Sequence, residues 1–457
     1  MKKSSLFIVS FIFLFISLNT ACQFNRDPNK STISLKNNTI VDEVNDSIPI
    51  LILGSFLNST ENINRKDLVN YVDNGSIFCT SNVSRYLKDQ LMLDSVKITS
   101  VKEFGISHPN NILITTLDSV NYSLLAISYD SVNFFTEPDK YSLWDTSNTE
   151  FTFDSEITKY THTGVTALTR QTGAFLDKYG DDELVKNLLP YFTKSDIIHI
   201  SNEVSLVDEC NYSTMRLKFA TKKEHFEAIN KINTTIVELT GNHNLDFGKE
   251  AYLNSLDWYK ENNISYFGGG KSPSEANKPL LKRLKDSSLV AWIGFNEFCP
   301  LGECADKVLG ANRYSDLKAS KLIDSLKNIL KVDVIVACVQ FGETDSYSPT
   351  KSQKRICKKL IDLGADVIFG SQAHQAQEIA VYNSKLIFYG LGNFLFDQIH
   401  RIGVKQAFFL ECYFFNGKMI QCQPVYTFIG SNRQPNIASP LQKKGIQKAI
   451  LKPYNFN

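Results

Sequence analysis

No Cys-x-x-Cys pair occurs in this 457-residue chain, so a zinc site of that spacing is not expected. Blocks of like charge are missing too. The 49 Lys and Arg residues nearly balance 48 Asp and Glu, leaving a formal net charge of +1. Without a basic patch, nucleic acid is not expected as a partner. Gly268-Gly269-Gly270 lacks the full spacing of a phosphate-binding loop and precedes no strong helix, which argues against nucleotide cradling. The almost unbroken apolar run from Leu6 to Leu18 is too short for a comfortable membrane span.

That run does fit a secretory signal, since Lys2 and Lys3 supply positive charge before it. Ala21 directly before Cys22 resembles a bacterial lipoprotein signal, although Asn19 stands where an aliphatic residue is usual. On this reading residues 1–21 are a lipoprotein-type signal peptide and Cys22 is the lipidated first residue of an exported, membrane-anchored protein of a bacterial cell envelope. Residues 22–46, rich in Asn, Ser, Asp and Lys, are then a flexible tether. Eight further cysteines remain. Cys299-Pro-Leu-Gly-Glu-Cys304 is spaced for a loop disulfide, and Cys338, inside an apolar run, reads as a buried thiol.

Two textures follow the tether. Residues 47–160 carry short β-type runs, Ile48–Leu53 and Tyr122–Tyr129 among them, with a helix-like stretch at Arg65–Tyr71. They read as a small α/β accessory domain. From Thr161 helices and strands alternate. Helices are predicted at Asp181–Phe192, Lys223–Ile232, Lys249–Glu261, Leu317–Leu330 and Gln353–Leu363. Strands are predicted at Asp196–Ile200, Thr235–Leu239, Ser288–Phe295, Val332–Val339, Ala365–Phe369 and Lys385–Tyr389. Such alternation implies βαβ units. Polar and glycine residues gather where each strand ends, the edge at which open α/β sheets place ligands. This second domain spans 161–430, and 431–457 reads as a C-terminal tail.

The strand ends carry the chemistry. After Thr235–Leu239 the chain reads Thr240-Gly241-Asn242-His243, with Asp246 three residues on. An imidazole fixed by a carboxylate can act as a general acid, and the Asn242 amide oxygen can serve as a hard metal ligand. Asn202-Glu203, Gln340-Phe341-Gly342-Glu343, Gly370-Ser371-Gln372-Ala373-His374 and Gly390-Leu391-Gly392-Asn393 end other strands. A glycine or asparagine after a strand usually makes only a turn, but a whole series in order is a stronger signal. His108, His162, His199, His225 and His400 read as surface or hydrogen-bonded residues.

These motifs and their order resemble the bacterial CapA family, linked to capsule and poly-γ-glutamate synthesis and sharing a calcineurin-like metallophosphoesterase fold. The resemblance covers about Thr161 to Gln398. It rests on Gly241-Asn242-His243-Asn244-Leu245-Asp246-Phe247-Gly248, Gly364-Ala365-Asp366-Val367-Ile368-Phe369-Gly370 and Ile387-Phe388-Tyr389-Gly390-Leu391-Gly392-Asn393-Phe394. It implies an α/β fold, a calcineurin-like phosphoesterase two-sheet sandwich flanked by helices, behind the small N-terminal α/β domain.

Several expected metal ligands are replaced. Val165, in Thr163-Gly164-Val165-Thr166, stands where the family has a metal-binding aspartate. Gln340 and Gln372 stand where it has histidines. A two-metal site bridges cations about 3.5–4 Å apart with carboxylates and imidazoles, and neutral amides are poor substitutes for either. The resemblance therefore implies one divalent cation at most, held near Glu203, Asn242 and His374, not a full two-metal site. His243 and Asp246 form the catalytic pair. Arg170, Gln340, Glu343 and Gln372 are candidate substrate-binding residues, a guanidinium being suited to bidentate phosphate or carboxylate binding. Asp397-Gln398 organises the preceding loop. Two functions follow: hydrolysis or transfer at a phosphoester or related bond in capsule or polyanionic exopolymer synthesis, or binding of an envelope glycan or polyanion without turnover. The implied partners are a polyanionic polymer or glycan, the membrane through Cys22, and other envelope biosynthesis proteins.

Overall fold

Every residue of the strand Val334–Gln340 is buried, because it lies inside a parallel sheet covered on both faces. The computed structural model describes residues 48–104, 110–145, 151–300 and 302–456. Within it this strand is central to a six-stranded sheet. The order is Leu280–Arg283, Leu289–Asn296, Val334–Gln340, Val367–Ser371, Lys385–Phe388 and Ile379–Tyr382. The middle four strands run parallel and the two edges antiparallel. Helices return the chain between parallel strands. In Lys351–Leu363, Thr350 and Gln353 cap the N-terminus reciprocally, and Gly364 ends the helix at φ 118°. Its buried Gln353, Ile356, Cys357, Leu360 and Ile361 recur at helical spacing, the stripe needed to lie on a sheet.

The second large sheet has the order Ser265–Phe267, Ile236–Glu238, Ile197–Asn202, Thr158–Thr166, Gln406–Phe415, Lys418–Ile429 and Pro435–Ile437, with Asn393–Leu395 beside Thr158–Thr166. The two sheets face each other across one core that includes Tyr160, Ile197, Ile236 and Leu410 from one, and Trp292, Val334, Val336 and Phe369 from the other. Alternate residues point outward, to helices. Ile198, Ile200 and Val237 pack with Tyr252 and Leu256, while Ile335 and Ala337 pack with Ile356 and Leu360. This period of two makes the α/β two-sheet sandwich expected from the sequence. It also decides which polar residues face the space between the sheets.

Residues 48–145 build a smaller sheet in the order Asn62–Ile63, Leu124–Tyr129, Ile48–Ser55, Ile112–Thr116, Ile77–Cys79 and Lys97–Ile98, with Trp144–Asp145 beside Ile48–Ser55. Its core incorporates Tyr413 and Ile420 of the hairpin Gln406–Ile429. The described residues lie within one compact unit, Asn45–Asn457. Beyond residue 430, Pro435–Ile437 adds an edge strand, and the helix Pro440–Ile450 buries Ile446 and Ile450 in the inter-sheet core. The segment 431–457, set apart as a tail by its position after the last motif, thus continues the fold.

One helix differs from its sequence reading. The structure has Arg170–Val185, interrupted at Gly180 (φ 78°), and then Leu189–Phe192, where the sequence predicts Asp181–Phe192. The first half is seated by buried Thr172, Gly173, Phe175 and Leu176. Gly173 lies against the Tyr212 ring, where an added Cβ would come within 2.4 Å. A Thr-Gly pair gives no apolar period to read. The signal segment, Cys22, the tether and His108 lie outside the described residues. Among the described residues, no helix is long and apolar enough to cross a membrane.

Candidate functional site

The rim of the sandwich is assembled by the strand ends. Gly241 lets the backbone pass Glu203 closely, since a Cβ there would meet the Glu203 Cα at 2.7 Å. Val204 and His243 then form a parallel bridge. Glu203 and Asn242 are brought together from neighbouring strands, and Gln340 and Gln372 approach them from the facing sheet. Gln372 adopts φ 81°, a left-handed backbone uncommon for a residue with a side chain and characteristic of functional loops.

All four meet at one nitrogen. Gln340 Nε2 lies 2.9 Å from Glu203 Oε1 and 3.1 Å from Asn242 Oδ1, and it also contacts Gln372 Oε1. An amide group has two protons, so three acceptors compete for them. Gln340 Oε1 and Glu203 Oε2 are buried and have no hydrogen-bond partner among the described residues. Oxygens that converge on one point, beside a buried carboxylate with an unused oxygen, are the donor set of a hard cation such as Mg²⁺ or Ca²⁺. Turning the Gln340 amide would add a further oxygen to that set. The residues present therefore fit one hard divalent ion.

Beside this cluster, His243 Nδ1 is 2.7 Å from Asp246 Oδ2, which also accepts from the Phe219 backbone N–H at 2.7 Å. Burial acts to lower the His243 pKa. The Asp246 hydrogen bond and the charges of Glu203, Asp246 and Glu303 outweigh it, and the pKa is raised. With Nδ1 engaged by Asp246, Nε2 is the nitrogen left to deliver a proton. Glu303 is a neighbour the sequence reading did not single out. It accepts from the Leu245 backbone N–H at 3.0 Å, and burial, opposed by that bond, pushes its carboxyl up to about 7. Its signal was its place inside the Cys299–Cys304 bracket, which forms a disulfide with Cα atoms 5.7 Å apart.

The remaining candidates divide. Arg170 joins the same surroundings, its guanidinium 4.6 Å from the centre of the Phe219 ring and 4.9 Å from that of Phe396. Phe219 in turn lies 4.3 Å from the His243 ring, and Phe396 lies 5.3 Å from that of His374. The guanidinium is bound at Nε and Nη2 by Asp397, at 3.1 and 2.5 Å, so Asp397 does more than organise its loop. His374 Nδ1 is 2.9 Å from Asn393 Oδ1. Glu343 is exposed and stands outside the Gln340 cluster. Val165 is buried in an apolar group with Ala167, Val204, Phe219 and Phe396, where the family resemblance places a metal-binding carboxylate. His225 and His400 match their readings: the first is buried against the Tyr212 hydroxyl at 2.7 Å and the second is exposed. His162 and His199 are hydrogen-bonded as expected, but deep in the core.

Comparison with known proteins identifies relatives of this chain. A protein-family model described as "Bacterial capsule synthesis protein PGA_cap" matches residues 150–398. The Capsule biosynthesis protein CapA of Bacillus anthracis is 29% identical over 254 residues, 54% of this chain and 61% of that protein. The PGA biosynthesis protein CapA of Bacillus subtilis (strain 168) is 25% identical over 253 residues, 54% of this chain and 65% of that one. The chain thus spans less than two thirds of either relative. Among solved structures, Haemophilus influenzae NAD nucleotidase (NadN) is 13% identical with a TM-score of 0.37, covering 66% of this chain and 57% of that chain. No chemistry is carried over from so distant a likeness. With the family model matching more than half its length, the chain belongs to the bacterial capsule synthesis protein family PGA_cap.

Proposed function

We propose that this protein acts in the synthesis of a capsule or other acidic exopolymer of the poly-γ-glutamate kind, and that its rim hydrolyses or transfers at a phosphoester or related bond. The observation that carries the catalytic part is the His243–Asp246 pair, 2.7 Å apart, with the imidazole pKa raised beside Glu203 and Glu303. The raised pKa favours the protonated imidazole, which can give its Nε2 proton to a leaving oxygen while Asp246 holds the ring in position. Glu203, Asn242, Gln340 and Gln372 would hold one divalent cation, which supplies charge stabilisation for an anionic substrate oxygen. Such a charge is useful because Glu203, Asp246 and Glu303 otherwise repel a polyanion. Arg170, stacked on Phe219 and Phe396, orders the edge of the site. Export and anchoring through a lipidated Cys22, by way of the 22–46 tether, would hold the protein in the envelope, where polymer, membrane and other biosynthesis proteins meet.

Val165 in its apolar group favours a second reading, in which the cleft binds an envelope glycan or polyanion and does not turn it over. Phosphodiesterase assays on the purified chain separate the two. Activity lost in His243→Ala and lowered by chelation supports the enzyme. Absence of turnover, with polymer binding that survives His243→Ala, supports the binding protein. Loss of capsule on gene deletion, restored by wild type, tests the shared role.

A further inference from the structure

Beneath the rim the strand period continues inward. Cys338 precedes Gln340 by one pleat on the strand Val334–Gln340, and His199 and Glu238 lie on the strands that lead to Glu203 and Asn242. His162 joins them, and one ligand atom from each of His162, His199 and Cys338 lies within 4.8 Å of the others. All three residues are buried, as are Glu238 and Tyr160. His162 and His199 are register partners on neighbouring strands of one sheet, and Cys338 comes from the sheet that faces them.

Three atoms form a tight triangle. The Tyr160 hydroxyl is 2.8 Å from His162 Nδ1 and 2.6 Å from His199 Nδ1, and the two nitrogens are 2.8 Å apart. Protons cannot satisfy all three edges. A neutral imidazole nitrogen either donates or accepts, and the hydroxyl has one proton, so at most two of the three edges can carry a hydrogen bond. His199 Nε2 has no hydrogen-bond partner among the described residues, and it faces Glu238 Oε2 at 3.7 Å. A cavity of about 10 Å³ lined by His162, Ser201, Glu238 and Gln372 lies on the His162 side of the group and is not lined by His199 or Cys338.

We infer that His162, His199 and Cys338 form a structural site for one borderline-soft divalent ion such as Zn²⁺, with Tyr160 beside it. The ion takes the Nδ1 lone pairs and ends the conflict within the triangle. Cys338 binds as thiolate and its proton leaves to solvent. Glu238 takes the His199 Nε2–H as the outer carboxylate that fixes a ligating imidazole, and its buried charge gains a compensating cation. The set is distinct from the rim cluster: nitrogen and sulfur select Zn²⁺, whereas the rim oxygens suit Mg²⁺ or Ca²⁺.

The test is zinc X-ray absorption on the chelator-stripped full chain reloaded with about one equivalent of Zn²⁺. The expected result is a first shell holding one sulfur and two or three nitrogen or oxygen atoms, together with a higher Tm than the stripped protein. Cys338→Ser should lose the sulfur, while Cys412→Ser and Glu203→Gln keep the shell unchanged. A wild-type shell without sulfur, or no zinc retained, overturns the inference without needing any variant. So does loss of the sulfur in Cys412→Ser, or of the zinc in Glu203→Gln.

Discussion

Two single groups set the electrostatics of the rim. Asp246 holds His243 in place, and Asp246→Asn keeps an oxygen for the Phe219 N–H while removing the charge. The His243 pKa should fall on NMR titration, and turnover should drop by roughly 10²-fold, with its alkaline limb moving to lower pH. The linkage has a definite sign. A raised histidine pKa contributes stability that is fully present below the unfolded value of 6.5 and lost as pH rises through the folded value. The stability gap between wild type and Asp246→Asn should therefore be wider at acid pH than at pH ~9, as measured by urea denaturation. Glu303 gives a pH slope of the same sign from a different cause, burial of its carboxyl. Its carboxyl rises from 4.5 to about 7, so the folded state binds the extra proton between those values and stability declines there as pH increases. Glu303→Gln should remove that decline in a series of Tm measurements across pH. A Tm profile unchanged by the substitution would mean that Glu303 titrates normally.

At the scale of elements, the rim depends on how closely two strand ends approach. Gly241→Ala forces a Cβ to within 2.7 Å of the Glu203 Cα, and both are backbone-bound atoms that cannot turn aside. The expected cost is about 1–3 kcal/mol by chemical denaturation, with loss of whatever the rim binds. Many elements were legible in advance. Lys351–Leu363 was legible from Gln353 onward and Val334–Gln340 as an apolar run, whereas the Thr350–Gln353 cap that starts the helix two residues earlier shows only in the structure. The helix beginning at Arg170 was not legible, because its seat is made by Tyr212 and by residues with no apolar period. The Cys299–Cys304 loop was legible as a bracket, but not as the holder of Glu303, since nothing in the spacing says that Leu245 lies above it.

Across the whole molecule, the inter-sheet core is what aligns the two halves of the rim. Trp292 is fully buried there and meets Tyr160 edge-on at 5.7 Å between ring centres. Trp292→Ala should cost about 3–5 kcal/mol and should also weaken rim function, because the Gln340 side of the site is carried by the sheet it anchors. Denaturation and activity measured on the same variant check both.

Local order along the chain was enough to decide the alternation of strands and helices, the polar strand ends and the His243–Asp246 pair, because each depends on residues a few positions apart. The missing carboxylate at Val165 came from the family resemblance and not from local order. Which amides converge on Gln340, that Asp397 claims Arg170, and that two histidines share one buried space were decided only by the folded structure. Those contacts join residues between about 30 and 230 positions apart, and strand register within one sheet together with the packing of the second sheet on it, not any sequence motif, brings them within hydrogen-bonding reach.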